Sequence, residues 1–119
     1  MAPDARVRAW LWDIQSAADA IDRFTRDLDG QAYESSEVVT VAVERKFEII
    51  GEALSQMLKA APDFAERIPD LRQIIAFRNL LIHGYAVLQH DRVLRIAQIS
   101  LPPLRTTVGE LLREMDAPS

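Results

Sequence analysis

SEVVTVAVERKFEIIGEALSQML, residues 36–58, is the stretch that decides the fold. Val39, Val43, Phe47, Ile50, Leu54 and Met57 or Leu58 recur at steps of three and four, which lays one apolar stripe along an α-helix. Ser35 or Ser36 supplies a cap ahead of it. Glu44, Glu48 and Glu52 share a second face at steps of four, where like charges repel slightly. Gly51 weakens the middle of the helix by about 1 kcal/mol relative to alanine. The simplest reason to find a glycine there is the close approach of a neighbouring helix.

The same spacing runs outward in both directions. Upstream, a first helix is expected from Asp4, an N-cap just after Pro3, with Trp10, Ile14, Ala17, Ile21, Phe24 and Leu28 as its stripe. Gly30 suits a left-handed stop after it. Trp10 and Trp12 lie about 200° apart on that helix, so one of them faces a partner interface or another groove. Downstream, AAPDFAERIP at 60–69 is a connector with a short extra helix near 63–67. Asp70 then caps a third helix running to about His83, built on Leu71, Ile74, Ile75, Phe77, Leu81 and Ile82, with Gly84 at the C-cap position. A fourth helix is expected from Asp91 to Met115, kinked or briefly broken at Pro102 and Pro103. Four long helices with short links predict an all-α antiparallel bundle. Residues 1–119 read as one domain with a frayed tail at 116–119.

The bulk numbers agree. The 119 residues are 49% hydrophobic and 27% charged, an ordinary globular composition. With no cysteine, thiol chemistry and Cys-based metal sites are excluded, and a reducing cytosol is compatible. No cofactor or metal is called for. No apolar run approaches the ~20 residues that span a bilayer, and MAPDARVRAW carries no hydrophobic signal core. The chain therefore reads as cytoplasmic, without a membrane partner. Its net charge of −4 argues against broad electrostatic binding to nucleic acid, although a small cationic pocket can still grip RNA locally. No DNA partner is expected.

The chemistry concentrates in RNLLIHGY, residues 78–85. Arg78, Asn79, His83 and Tyr85 offer a cation, an amide, an imidazole and a phenol, the groups that hold a phosphodiester and move its protons. On an ideal helix Arg78 and His83 project about 140° apart, whereas Asn79 and His83 share a face. If the helix ends at Gly84, Tyr85 is free to fold back toward Arg78. RNA is cleaved without metal when its 2′-hydroxyl attacks phosphorus, and a histidine can move either proton of that reaction near neutral pH. A planar arginine fork stabilises the charge that develops. A single His83 per chain supplies one such group. Two chains about a two-fold axis supply a pair, which predicts a homodimer with the site near its interface.

Plainer roles fit the same residues. His83 also suits a helix end, where it satisfies terminal carbonyls. Arg78 can form an ion pair with Glu48 or Glu52 within the bundle. Tyr85 can be a half-buried packing residue, and His90 falls in a polar loop, AVLQHD, where solvation is expected.

Arg78, four residues, His83, one residue, Tyr85 resembles the Arg-x4-His-x-Tyr signature of the HEPN superfamily, with the HepT-like branch the nearest likeness. AVERKFEIIGEAL at 42–54, LWDIQSAADAIDRF at 11–24 and the later LPPL also resemble that branch, in order, over nearly the whole chain. The resemblance implies a toxin of a two-gene toxin–antitoxin module, a dimeric, metal-independent ribonuclease. It implies that Arg78 and His83 are catalytic and Asn79 supporting. It further implies a partner nucleotidyltransferase of the MntA type that silences the toxin by transferring AMP to Tyr85. A second function stays open, a non-catalytic nucleotide- or RNA-binding partner of a minimal nucleotidyltransferase. A plain helical scaffold is a third.

Overall fold

Helical periodicity becomes seven α-helices and no strand among the described residues, 2–83 and 90–116, of the computed structural model. α1 spans Ala2–Thr25, α2 Gly30–Ser35, α3 Glu37–Ala60, α4 Pro62–Ala65, α5 Leu71–Ile82, α6 His90–Ile99 and α7 Leu101–Asp116. The four long helices expected are α1, α3, α5 and the consecutive pair α6 and α7.

The stretch that opened the reading is the spine. α3 packs against α1 and against α5, α1 packs in turn against α6 and α7, and α2 bridges α3 and α6. Val43, Phe47, Ile50, Leu54 and Met57 are fully buried along the predicted stripe, and Val39 and Leu58 are partly so. Ser36, of the two serines, is the cap, its Oγ accepting the Val39 N–H at 3.2 Å. Phe47 meets Phe77 of α5 edge-on, with ring centroids 5.2 Å apart. α1 and α7 run antiparallel. Arg8 near the start of α1 bonds Asp116 at the end of α7 at 2.8 Å, and Arg105 near the start of α7 reaches Asp19 near the end of α1 at 2.9 Å. The Arg8 guanidinium holds the Asp116 carboxyl below its ordinary range. Exposed pairs of this kind report orientation more than strength. None of the described helices is long and apolar enough to cross a membrane.

Several boundaries depart from expectation for identifiable reasons. α1 begins at Ala2, so Asp4 lies in its first turn rather than capping it. Gly30 does not stop α1. That helix ends at Thr25, whose hydroxyl bonds back to the Ile21 carbonyl at 2.8 Å, and Asp29 then caps a new short helix by accepting the Ala32 N–H at 2.8 Å. Asp-Gly thus marks a start where an end was expected, because the aspartate side chain claims an amide three residues on. The extra helix expected near 63–67 lies at Pro62–Ala65. Asp70 takes the N-cap place of α5 but makes no capping bond. Its backbone is left-handed, φ 59°, whereas capping needs an extended residue to aim the side chain at the first-turn amides.

The last helix is broken rather than bent. α6 ends at Ile99, Ser100 forms a turn, and Pro102 and Pro103 sit in the first turn of α7. A missing N–H costs nothing in that turn. His90, expected in a solvated loop, is the first residue of α6 and half-buried. Its ring lies edge-on to the fully buried Tyr33, centroids 6.0 Å apart. Burial, with the nearby Glu44 charge adding to it, pushes the Tyr33 hydroxyl pKa up. Asp116, expected in the frayed tail, ends α7 in its pair with Arg8. Trp10 is half-buried and carries the Arg6 guanidinium 5.1 Å above its ring, whereas Trp12 is 62% exposed, as their angular separation requires. Gly84 and Tyr85 lie outside the described residues.

Candidate active site

α5 carries the motif, and its regular run from Leu71 to Ile82 sets where each side chain goes. Leu71, Ile74, Phe77 and Leu81 are buried and turn one side of the helix into the core. Arg78 falls beside that face, so its long side chain runs along the seam with α3 instead of out to water. Only 13% of it is exposed.

The seam is open there because residue 51 of α3 is glycine. A Cβ on Gly51 would lie 2.3 Å from the Arg78 Cβ, 2.5 Å from its Cγ and 3.1 Å from its Nε. The arginine stem thus occupies the volume a side chain would fill. At its far end Nη2 donates to Glu52 Oε1 at 3.1 Å and to Ser55 Oγ at 3.2 Å. Of the two carboxylates expected to pair with Arg78, Glu52 does so. Glu48 pairs within its own helix with Arg45 at 3.4 Å. Ser55 was not singled out from sequence. The available signal was its spacing, one turn beyond Gly51 on the same helix.

Both side-chain bonds of Arg78 come from one nitrogen. Nε is buried and donates to no acceptor among the described residues. The guanidinium is therefore held by one corner, and among the described residues Nη1 donates to no partner, while Nε is turned into the seam with α3. A planar cation anchored this way is preorganised for an anion, because binding costs little further side-chain entropy.

Asn79 and His83 occupy a different face. Both are exposed, and four residues apart they stand one above the other on α5. His83 is the C-cap, its backbone N–H closing the last turn on the Asn79 carbonyl at 3.2 Å. Arg78 is about 140° away around an ideal helix and about 7.5 Å below His83 along the axis. Within one chain the helix thus groups Asn79 with His83 and seats Arg78 separately, against α3. Among the described residues no cluster of histidine and carboxylate side chains could hold a metal ion.

The all-helical bundle, with Arg78 slotted between two helices and His83 at the end of one of them, is HEPN-like. The chain belongs to the HepT-like ribonuclease family: the profile described as Ribonuclease HepT-like matches residues 14–111, which take in α3 and the whole motif. The Methanocaldococcus jannaschii protein named "Putative RNase MJ0125" is 28% identical over 116 residues, covering 96% of this chain and 97% of its own. "Putative RNase MJ1380" of the same organism is 31% identical over 104 residues, covering 86% of this chain and 93% of its own. No solved structure matches the chain.

Proposed function

We propose that this protein is a metal-independent ribonuclease, the toxin of a toxin–antitoxin module, working as a homodimer in the cytoplasm. The observation that carries the reading is the seat of Arg78. This HepT-like chain holds the cation by Nη2 over Gly51, leaves Nη1 without a partner among the described residues, and presents Asn79 and His83 at the exposed end of the same helix.

In the reaction this supports, His83 removes the proton of a ribose 2′-hydroxyl. The freed oxygen attacks the adjacent phosphorus while the bond from phosphorus to the 5′-oxygen breaks. A second acid protonates the departing oxygen. The products are a 2′,3′-cyclic phosphate and a 5′-hydroxyl. Arg78 neutralises the charge on the pentacoordinate phosphorus, and Asn79 donates to a phosphate or base oxygen. Arg78 and His83 diverge around α5, so a two-fold partner that presents the same patch supplies the second acid most simply. Ile82, 49% exposed beside His83, supports that contact.

Regulation follows from Tyr85, two residues beyond His83 in sequence. AMP transferred there from ATP by an MntA-type nucleotidyltransferase adds bulk and a negative phosphate. That phosphate competes with substrate for the Arg78 fork.

The purified chain should cut single-stranded RNA in EDTA and leave cyclic phosphate ends, detected by mass spectrometry of the fragments. Intact RNA, or cutting that EDTA abolishes, would reject the mechanism. The competing reading is a binding subunit without turnover. Saturable RNA or ATP binding with no product from any of several RNAs would select that reading instead.

A further inference from the structure

A cleft beside the motif helix is not used by the chemistry proposed above. It encloses about 630 Å³ between α5 and α6, within the ~300–1,000 Å³ range of ligand sites. Its floor is apolar, made by Ile74, Phe77 and Ile96. Its rim is cationic, because Arg92 and Arg95 both line it and both are exposed. We infer that this cleft is the track for the RNA strand on either side of the scissile bond, with Arg92 and Arg95 as its phosphate-binding residues. The inference rests on the ribonuclease reading above and adds the place where substrate lies.

Three observations converge on the cleft. First, the chain is acidic, and seven of its fourteen basic side chains sit on carboxylates, the arginines at positions 8, 26, 45, 67, 72, 78 and 105; of the others, only Arg92 and Arg95 line this cleft. Arg92 and Arg95 have no such partner among the described residues. A cation kept free in a protein of net charge −4 is available for an outside anion. Asp91 also lines the cleft and offsets one of the two charges, leaving the rim positive.

Second, the spacing fits a strand. Residues three apart on a helix are neighbours, about 5–6 Å between Cβ atoms. Arg92 and Arg95 therefore lean over the same cleft and can take successive phosphates. Ile96, the partly exposed residue of the floor, offers the apolar contact for a ribose or base face, with the buried Ile74 and Phe77 behind it.

Third, the cleft adjoins the motif. Phe77 in its wall is the residue before Arg78, and the end of α5 at His83 is six residues further on, about 9 Å along the axis. A strand seated there reaches the imidazole within a few nucleotides. An acidic protein without a broad basic face needs a local grip of this kind.

The test uses the full chain carrying His83→Ala, so that RNA is bound and not cut. The probe is a labelled single-stranded RNA of about 20 nucleotides, longer than the ~4–16 that one single-strand module covers. Adding Arg92→Ala and Arg95→Ala should weaken binding about tenfold, the scale of two charge-assisted contacts. It should also flatten the dependence of log affinity on log salt by about 1.4, or 0.7 per lost phosphate contact. Arg113→Ala, which removes an exposed arginine on α7, should change neither. On the chain that retains His83, the Arg92 and Arg95 replacements should raise KM for the long RNA, and Arg113→Ala should not.

Unchanged affinity and salt slope would overturn the track, as would an equal loss in Arg113→Ala or no measurable binding by the parent. The ribonuclease reading fails separately. If the parent cuts no RNA yet the Arg92 and Arg95 replacements abolish binding, the track stands and the reaction falls. If the parent cuts RNA and the replacements alter neither binding nor KM, the reverse holds.

Discussion

Replacing His83 by alanine is expected to slow RNA cleavage by about 10²–10⁴-fold, the usual contribution of one positioned acid or base. The side chain is exposed at the end of α5 and outside the buried face formed by Leu71, Ile74, Phe77 and Leu81. Its loss should therefore open no cavity in the core. Initial rates on a fluorogenic RNA, with circular dichroism and a melting curve on the same sample, separate the two effects. A variant that cuts as fast as the parent would remove the imidazole from the mechanism. A variant that loses helicity along with activity would make His83 a structural cap.

Gly51→Ala should be the most damaging alanine replacement among the described glycines. The added Cβ meets the root of the Arg78 side chain at 2.3 Å, where no rotamer change relieves the clash. α5 must move off α3, or Arg78 must leave its slot. Overpacking of this kind costs about 1–3 kcal/mol, and alanine returns at most about 1 kcal/mol through helix propensity. The contact sits at the root of a side chain against a packed helix, so the net loss should be near 2 kcal/mol. Activity should fall with it, because the Glu52 and Ser55 anchors no longer meet the guanidinium. Gly109→Ala on α7 is the matched control. Its Cβ would find only the Arg113 Nη1 at 3.6 Å, so that variant should be neutral or gain up to about 1 kcal/mol. Equal melting temperatures for the two variants would mean that Gly51 is not a seat for Arg78.

These two residues divide along the line between local and distant information. The α3 stripe, its Ser36 cap and the end of α5 at His83 were legible because each depends on residues within about four positions. The same logic failed at Asp29-Gly30 and at Asp70. There a local signal has two readings, start or stop, capped or merely placed, and the path of the connecting chain selects one. His90 was misjudged for a related reason. Nothing beside it in sequence announces that Tyr33, fifty-seven positions earlier, would cover its ring.

The site shows the same division. Arg78, Asn79 and His83 could be singled out by residue type and spacing, and so could the 140° between the cation and the imidazole. Sequence narrowed the partner of Arg78 to Glu48 or Glu52 but could not choose, because both lie on one face of α3 and the axial offset between two helices is not written in either. Ser55, as the second anchor, and the cleft that sets Arg92 and Arg95 opposite Phe77 were not visible at all.

By itself, then, the order of residues determined that this chain is helical, where most of its helices lie and which side chains carry reactive groups. Hydrogen-bond ladders and apolar stripes are set within one or two turns. Only the packed bundle decided which glycine would admit which arginine, how much of the guanidinium would stay exposed, and where Arg92 and Arg95 would flank an apolar floor. Those outcomes depend on how closely α5 approaches α3 and α6, and that distance is set by the shapes of the contacting side chains summed over whole helix faces.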